Sequence, residues 1–362
     1  MGGRVRVGLA ALPRAGVVGA GLGLAAAGAA VGVLAERRVL RRRRAGEPFP
    51  WPADAPGRDV MTDDGVRLHV EVDEPGPGCA PLTVVLVHGF GNDLRAFRYQ
   101  RRALAPYARL VLFDQRGHGR SGGTDPRSRL DRSVIDQLGA DLARVLAECA
   151  PDGPVVLVGH SMGGMTVMAL ADQHPELFGP RVVGVALIST SPGQLAEVTL
   201  GLPAAAGRLV HRTAPPLLRV ATRQAQLVER GRRVTGDVAY ALARRYAFGG
   251  DVPPELVAFV TEMVAATPVQ TLAEVFPAFA AHDKLRALDA LAPLPALVLV
   301  GERDLLTPAD HSRAIAARLP HAELVVVPEA GHMVVLERPD AVDAALARLL
   351  ARAEPAAAGA GR

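Results

Sequence analysis

The fold is decided by the stretch Pro154-Val155-Val156-Leu157-Val158-Gly159-His160-Ser161-Met162-Gly163. Its apolar start is typical of a buried parallel strand, and the apolar residues 165–171 that follow it are typical of a buried helix. A serine at the tip of a sharp strand-to-helix turn needs very small neighbours two positions away on each side, and Gly159 and Gly163 meet that need. The stretch therefore predicts that the Ser161 hydroxyl projects at the positive amino-terminal end of a helix.

A turn of this kind presents its serine as a nucleophile, but a serine that only caps the helix has the same local sequence. The distinction depends on partners elsewhere in the chain. An acidic pair, Glu302 and Asp304, comes just after the apolar run Ala296–Val300, and His332 comes shortly after the run Glu323–Val327. Because parallel strands present their carboxyl ends at one edge of a sheet, where ligands bind, these groups are expected near Ser161. The sequence predicts a catalytic triad with Ser161, His332 and one of the two acids.

Two backbone N–H groups are candidates for stabilising a negatively charged oxygen beside this serine. The strand predicted at Thr83–Val87 ends in His88-Gly89-Phe90-Gly91, and such a glycine-rich end can direct an N–H group into the site. We predict that the Phe90 N–H and the Met162 N–H form an oxyanion hole. His88 is interpreted as a structural hydrogen-bonding residue, and so is His118 in the polar loop Asp114–Ser121.

Composition and charge limit the class of protein. The chain has 362 residues, of which 49% are hydrophobic and 4% aromatic, so it is long enough for one large α/β domain with an insertion or for two small domains. Residues 1–44 hold nine arginines and one acid, so the net charge of +4 divides into +8 for this arm and −4 for the rest. That balance argues against nucleic-acid binding.

Cys79 and Cys149 are far apart, and no metal motif is present, so we expect free thiols and neither a metal nor a cofactor.

The arm contains Ala15–Ala35, 21 residues without a charge, flanked by arginines on both sides. As a helix this segment would be roughly 31 Å long, which matches the apolar thickness of a bilayer, and we predict an uncleaved membrane anchor. The more basic trailing flank predicts that the catalytic body is cytoplasmic. A cleaved secretory signal and a low-complexity leader of a soluble protein are the alternatives. The proline-rich residues 48–56 are predicted to be a linker.

The remaining patterns complete the expected organisation. Asp63-Asp64-Gly65 predicts a hairpin turn, and residues 133–150 predict an amphipathic helix. From residue 192 to 290 the alternation of strands and helices gives way to a proline-broken helical pattern, which indicates a lid over the strand ends. Phenylalanines in this lid either line an acyl pocket or pack its own core. Thr307-Pro308 is predicted to cap and start a helix.

Together, His88-Gly89, Asp114–Ser121, the Ser161 turn, Asp304 and Gly331-His332 resemble the α/β-hydrolase superfamily, and most closely its carboxylesterases and monoglyceride lipases. The resemblance implies a mostly parallel eight-stranded sheet flanked by helices, with a helical cap insertion. It divides the chain into an arm (1–57), a core (58–191 and 291–352), a cap (192–290) and a disordered tail (353–362). It also selects Asp304 over Glu302 as the triad acid.

The resemblance implies a serine hydrolase that cleaves small apolar carboxylic esters through an acyl-enzyme, with His332 as the base. Thioester cleavage, C–C bond hydrolysis and cofactor-free perhydrolase or haloperoxidase chemistry use the same triad and are alternatives. A non-catalytic binding protein of this fold is a further alternative, although such proteins usually lose a triad member. The sequence sets neither the acyl chain length nor the oligomeric state.

Overall fold

The computed structural model describes residues 57–75, 82–123, 133–203 and 236–360, with a few more between 205 and 213. All of them belong to the larger of two units of the chain, residues 48–362. The predicted anchor at 15–35, the predicted linker and Cys79 lie outside the described residues. The predictions for those segments, and the proposed boundaries of arm, core and cap, stay predictions.

An eight-stranded sheet forms the centre of the molecule, with the strand order β1-β2-β4-β3-β5-β6-β7-β8. The first two strands pair antiparallel with each other, β2 pairs antiparallel with β4, and all later pairs are parallel. The strands are β1 (Gly57–Met61), β2 (Arg67–Asp73), β3 (Thr83–Val87), β4 (Arg109–Phe113), β5 (Val155–His160), β6 (Val182–Ile188), β7 (Ala296–Gly301) and β8 (Ala322–Val327).

Ten α-helices have bounds within the described part of the chain. They are α1 (Arg98–Leu104), α2 (Val134–Cys149), α3 (Met162–Gln173), α4 (Gly236–Ala247), α5 (Pro254–Ala266), α6 (Val269–Ala281), α7 (Leu288–Leu291), α8 (Ala309–Arg318), α9 (Val334–Glu337) and α10 (Pro339–Ala360). Short 3-10 helices cover Leu94–Phe97, Pro175–Leu177, Leu195–Glu197 and Leu285–Ala287.

The predicted α/β sheet is confirmed, and most strand limits agree with the predicted runs to within a residue or two. The reason is that β3, β5, β6 and β7 are buried on both faces, so they appear in the sequence as uninterrupted apolar runs. Alternate side chains of each strand enter different layers. Val85 and Leu157 pack into one core with α2 and α3, whereas Val84 and Val156 pack into a second core with α1 and α10.

The carboxyl-terminal tail begins later than predicted, because α10 continues to Ala360 where a disordered tail was expected from residue 353. Residues 353–360 are mostly alanine, the residue with the highest helix propensity, and Ala353 itself is fully buried. The prediction of a disordered tail is therefore wrong for residues 353–360, because an alanine-rich end favours continuing the helix.

Between β6 and β7 the chain forms a helical insertion, here called the cap (residues 192–290), which includes α4, α5 and α6. Its two ends meet at a narrow neck. Gly193 forms an antiparallel bridge with Asp283, and the Lys284 N–H donates to the Pro192 carbonyl at 2.7 Å. Lys284, the only lysine of the chain, also forms ion pairs with Asp136 of α2 at 2.7 Å and with Asp172 of α3 at 2.5 Å. The neck is thus fixed to two helices of the core.

In the described residues, no single helix has the length and apolar composition to cross a membrane. Helices α5 and α6 satisfy these criteria only when taken as a pair, and they are bent by 97° relative to each other.

Candidate active site

Ser161 occupies the predicted sharp turn between β5 and α3. Its backbone has φ 54° and ψ −120°, a conformation that costs energy in a residue with a side chain and is common at functional sites. The turn closes only because its neighbours lack side chains. A Cβ on Gly163 would lie 1.9 Å from the Val87 carbonyl oxygen, and one on Gly159 would lie 2.5 Å from the Gly163 oxygen. The two glycines therefore permit the turn that presents the Ser161 hydroxyl.

A continuous chain of hydrogen bonds links Ser161, His332 and Asp304. The His332 Nε2 atom is 2.9 Å from the Ser161 Oγ atom, and its Nδ1 atom is 2.9 Å from the Asp304 Oδ2 atom. All three side chains are at most 9% exposed. The three residues predicted from separate segments of the sequence are therefore brought together, in the geometry that nucleophile, base and orienting acid require.

Asp304 is held as a charged carboxylate. Burial alone would raise its pKa, but the charge and hydrogen bond of His332, with further hydrogen bonds from Thr307, outweigh burial and keep the pKa of the Asp304 carboxyl below its ordinary value. Its Oδ1 atom accepts the N–H groups of Leu306 and Thr307, both at 2.9 Å. The rival acid Glu302 is exposed, and its Oε2 atom accepts the Glu329 N–H at 3.1 Å, so it belongs to a surface loop.

The structure corrects the role predicted for Thr307. Helix α8 begins at Ala309, with Pro308 in the capping position and without a side-chain cap. The Thr307 hydroxyl instead donates to the Asp304 Oδ2 atom at 2.8 Å, and its oxygen lies 3.3 Å from the His332 Nδ1 atom. A threonine before a proline is a common helix start, so the local sequence did not distinguish this contact from a cap.

We expect Thr307→Val to lower kcat about tenfold with little change in KM, because it removes one hydrogen bond to the Asp304 carboxylate. Valine has nearly the same shape, and the backbone N–H at this position still reaches the Asp304 Oδ1 atom. Steady-state kinetics on a soluble ester would measure the effect. Thr307→Ser restores a hydroxyl and should recover most of the lost activity; equal activity of the valine variant and the wild type would contradict a positioning role.

A second supporting contact, which the sequence analysis did not identify, comes from His160. Its Nε2 atom is 2.9 Å from the His332 carbonyl oxygen, and the two rings are 5.1 Å apart. Burial, together with the neighbouring His332, lowers the pKa of His160 to about 3. His160 is therefore neutral and donates its Nε2 hydrogen to the backbone of the His332 loop. The sequence could not indicate this bond because the two residues are 172 positions apart.

The predicted oxyanion donors lie beside the nucleophile. Met162 is the first residue of α3, so its N–H is one of the amino-terminal groups that a helix does not use internally. Phe90 follows Gly89, where a Cβ would lie 3.0 Å from the Ser161 Cβ atom. Met162 thus directly follows Ser161, and Phe90 follows a backbone position that contacts the Ser161 side chain.

His88 and His118 form hydrogen bonds within and between the loops that follow β3 and β4. The Gln115 N–H donates to the His88 Nε2 atom at 2.9 Å, and the Gln115 side chain donates to the His88 carbonyl at 2.5 Å. His118 donates from Nδ1 to the Arg116 carbonyl at 3.0 Å, and burial lowers its pKa to about 3. These contacts are structural, in agreement with the interpretation of both histidines from the sequence.

The cap packs directly against the loops that follow β3 and β4. The Phe279 ring of α6 meets the Phe90 ring edge-to-face at 5.2 Å, and Phe276 is 6.4 Å from Phe279. A Cβ on Gly91 would lie 3.3 Å from Val264 of α5. In addition, the Thr271 hydroxyl donates to the Gly117 carbonyl at 3.1 Å. The cap therefore covers the carboxyl ends of β3 and β4 with aromatic and aliphatic groups.

Metal ligands and thiols are not part of this arrangement. In the ranges that the structure describes, no group of three or more histidine, cysteine, aspartate or glutamate side chains is placed to hold a metal ion. Cys149 is a buried free thiol at the end of α2.

Comparison with known proteins decides the family. Residues 83–339, which include every predicted site residue, match the family model described as the α/β hydrolase fold. The chain belongs to the α/β-hydrolase fold family. The strand order and the site geometry of this α/β hydrolase agree with that membership.

Individual relatives of this α/β hydrolase are distant. A dihydrolipoyllysine-residue acetyltransferase component of the acetoin cleaving system of Pseudomonas putida is 30% identical over 276 residues, which are 74% of this chain and 62% of that protein. A thermophilic esterase from Thermogutta terrifontis has a TM-score of 0.64 at 26% identity, covering 83% of this chain and 99% of that one. An enol-lactonase from Burkholderia xenovorans has a TM-score of 0.62 at 26% identity, covering 81% and 100%.

Proposed function

We propose that this α/β hydrolase is a serine hydrolase that cleaves carboxylic esters through a covalent acyl-enzyme. The proposal depends above all on one observation: His332 bridges Ser161 and Asp304 through two hydrogen bonds of 2.9 Å. In the first step His332 removes the Ser161 proton, and the Ser161 oxygen attacks the carbonyl carbon of the ester. His332 then returns the proton to the leaving alcohol. Asp304 holds the imidazole in place and stabilises its charged form without taking the proton.

The backbone supplies the remaining stabilisation. During each attack a negative charge develops on the carbonyl oxygen, and the Phe90 and Met162 N–H groups are the proposed donors that bind it. Water then enters, His332 takes one of its protons, and the resulting attack on the acyl-enzyme releases the carboxylic acid and restores Ser161. His332 returns that proton to the departing Ser161 oxygen, so one cycle consumes one ester and one water and yields one alcohol and one carboxylic acid.

An apolar acyl group is the proposed substrate class. Support comes from the aromatic cluster of Phe90, Phe276 and Phe279 next to the nucleophile, which favours hydrocarbon over charged groups. An ester bond is further supported by the relatives, since one similar structure is an esterase and another is an enol-lactonase. Thioesterase, C–C hydrolase and perhydrolase activities use the same triad and are alternative outcomes of the test. A non-catalytic role is disfavoured because all three triad side chains are present and connected.

A panel of p-nitrophenyl esters of graded acyl length tests the proposal, with thioesters of the same acyl groups, a C–C bond substrate and peracid formation measured in parallel. We expect kcat/KM for the best ester to exceed that for its thioester by at least about tenfold. Ser161→Ala serves as the blank in every assay. Faster turnover of the thioester, the C–C substrate or the peracid reaction would replace the ester assignment, and no turnover in any assay would support a binding protein.

We also propose that residues 15–35 anchor the chain in a membrane, with the catalytic body in the cytoplasm. The support is the length of this uncharged segment and the six arginines that follow it between residues 37 and 44. Cell fractionation combined with protease treatment of intact cells tests both parts. A full-length protein found only in the soluble fraction would contradict the anchor, whereas digestion of the body from outside would contradict the orientation.

A further inference from the structure

The outward face of α4 in the cap is apolar. Its exposed residues are Val238, Ala241, Leu242 and Arg245, which follow the i, i+3, i+4, i+7 spacing of a single helix face. Val238 is 49% exposed and Leu242 is 53% exposed. Helices on the surface of soluble proteins usually place polar residues on such a face. The exposed apolar residues here therefore indicate a binding surface.

The opposite face of the same helix is already used. Tyr240 and Ala243 pack against one of the two hydrophobic cores, and Ala247 is buried in it. Rotation of the helix to hide Val238 and Leu242 would therefore expose this inner face instead. The apolar outward face is a second, separate surface of α4.

The surrounding sequence is strongly basic. Residues 208–245 contain nine arginines and two acids, a net charge of +7, whereas the chain outside residues 1–44 and 208–245 has a net charge of −11. In this region the structure describes Leu209, which is 60% exposed, and Arg212, which is also exposed. Among the described residues of this stretch, the exposed Arg212 and Arg245 thus occur with the exposed aliphatic residues Leu209, Val238 and Leu242.

This surface adjoins the loop that contains Asp304. A Cβ on Gly201 would lie 3.0 Å from the Arg245 guanidinium group and 3.1 Å from the Leu305 side chain. Leu305 directly follows Asp304. The carboxyl end of the α4 face is therefore next to the loop that holds the triad acid.

We propose that this face, formed by Val238, Ala241, Leu242 and Arg245 and called here the α4 face, binds the surface of an anionic lipid membrane. Aliphatic side chains enter the boundary between headgroups and acyl chains, and arginines bind the negative headgroups. A second copy of the chain is a poor occupant, because a symmetric pair would bring the exposed Arg245 side chains of both copies to one interface. Nucleic acid is a poor occupant because aliphatic side chains offer bases no stacking surface.

Binding in this way would bring the active-site edge towards the lipid, independently of the predicted anchor at residues 15–35. It requires no assumption about the reaction catalysed. The test must therefore distinguish contact by the α4 face from attachment of the chain through its arm, which a simple sedimentation assay of the full chain does not do.

A tryptophan reporter makes that distinction in the full-length protein. The chain has a single tryptophan, Trp51, so Trp51→Phe gives a silent background in which Leu242→Trp reports on the α4 face. The matched reporter is Tyr107→Trp, because Tyr107 is 71% exposed and lies just before β4, at the opposite edge of the sheet. The probe is a phosphatidylcholine vesicle with brominated acyl chains, with or without about one-third phosphatidylglycerol.

We expect brominated anionic vesicles to quench the residue 242 reporter at least severalfold more strongly than the residue 107 reporter, and neutral vesicles to quench neither. In the Leu242→Trp chain, Val238→Glu should weaken vesicle binding by the α4 face roughly tenfold. The matched variant Met61→Glu replaces a side chain of similar exposure, 48%, on β1 and should leave the quenching unchanged. Circular dichroism of each variant checks that it is folded.

Several results would overturn the proposal. They are no quenching at residue 242 on anionic vesicles, equal quenching at both reporters, and equal quenching at residue 242 by neutral vesicles. Size-exclusion chromatography of the reporter chains without lipid provides the last arm. A stable dimer that buries the residue 242 reporter would assign the α4 face to a second copy of the chain instead.

Discussion

Replacing Ser161 with alanine should abolish labelling of the protein by a fluorophosphonate probe and lower kcat for esters by roughly a million-fold. The expectation follows from the geometry of the turn: the Ser161 Oγ atom is 2.9 Å from the only base to which it is hydrogen-bonded in the described structure, His332. Removing the nucleophile leaves only the binding site and the oxyanion donors, which retain a small part of the rate enhancement. Gel fluorescence after labelling and steady-state kinetics measure the two effects.

Ser312 provides the matched control for this experiment. It is fully buried in α8, and its hydroxyl makes no hydrogen bond within the described part of the chain. Ser312→Ala should therefore leave both labelling and kcat unchanged within about twofold. If Ser161→Ala is folded and still labelled, the nucleophile is a different serine and the mechanism proposed above is wrong.

Asp304→Asn should lower kcat by about four orders of magnitude while leaving the fold intact. The amide nearly preserves the size of the side chain, but it removes the negative charge that stabilises protonated His332 and can present an N–H group to the imidazole in place of an acceptor. Esterase kinetics of the purified variant, with its melting temperature compared to that of the wild type, measures the effect.

Glu302→Gln is the matched comparison, because it makes the same chemical change two residues away in the same loop. Glu302 is exposed and bonds to the Glu329 backbone, so its variant should keep kcat within about twofold of the wild type. If instead the Glu302 variant loses activity and the Asp304 variant keeps it, Glu302 is the triad acid.

Much of the catalytic arrangement could be predicted because its residues follow uninterrupted apolar runs. Ser161 and Asp304 each come just after a strand buried on both faces, and His332 follows the apolar end of the half-buried edge strand β8. Such apolar runs are recognisable without knowledge of their partners. Once those strands are parallel, their carboxyl ends share one edge, so residues distant in sequence meet there. The resemblance to α/β hydrolases then chose between Asp304 and Glu302, a choice that the local sequence alone left open.

The supporting contacts could not be predicted because they depend on orientation within loops. Thr307 resembles a helix cap in sequence, and only the path of the loop turns its hydroxyl towards Asp304. His160 binds a backbone carbonyl oxygen, a partner that every residue carries and that no sequence pattern marks. The end of α10 shows a similar limit, because its alanines are compatible with both a helix and an unstructured tail.

The neck at Gly193 and Asp283 brings the two ends of the cap to adjacent points. Because Lys284 and the bridge bring the two ends of the cap together, the rest of the cap can change in length or sequence without moving β6 relative to β7. A replacement for residues 194–282 could be joined at the same two points, but it would also have to keep the contacts of residues 247–250 with the His332 loop. The Met333 N–H donates to the Ala247 carbonyl at 2.7 Å, and the Gly250 N–H donates to the Glu337 carboxylate at 2.6 Å. The cap can therefore be varied outside residues 247–250 with β6 and β7 left in place, whereas a replacement that lacks these contacts should also disturb the position of His332.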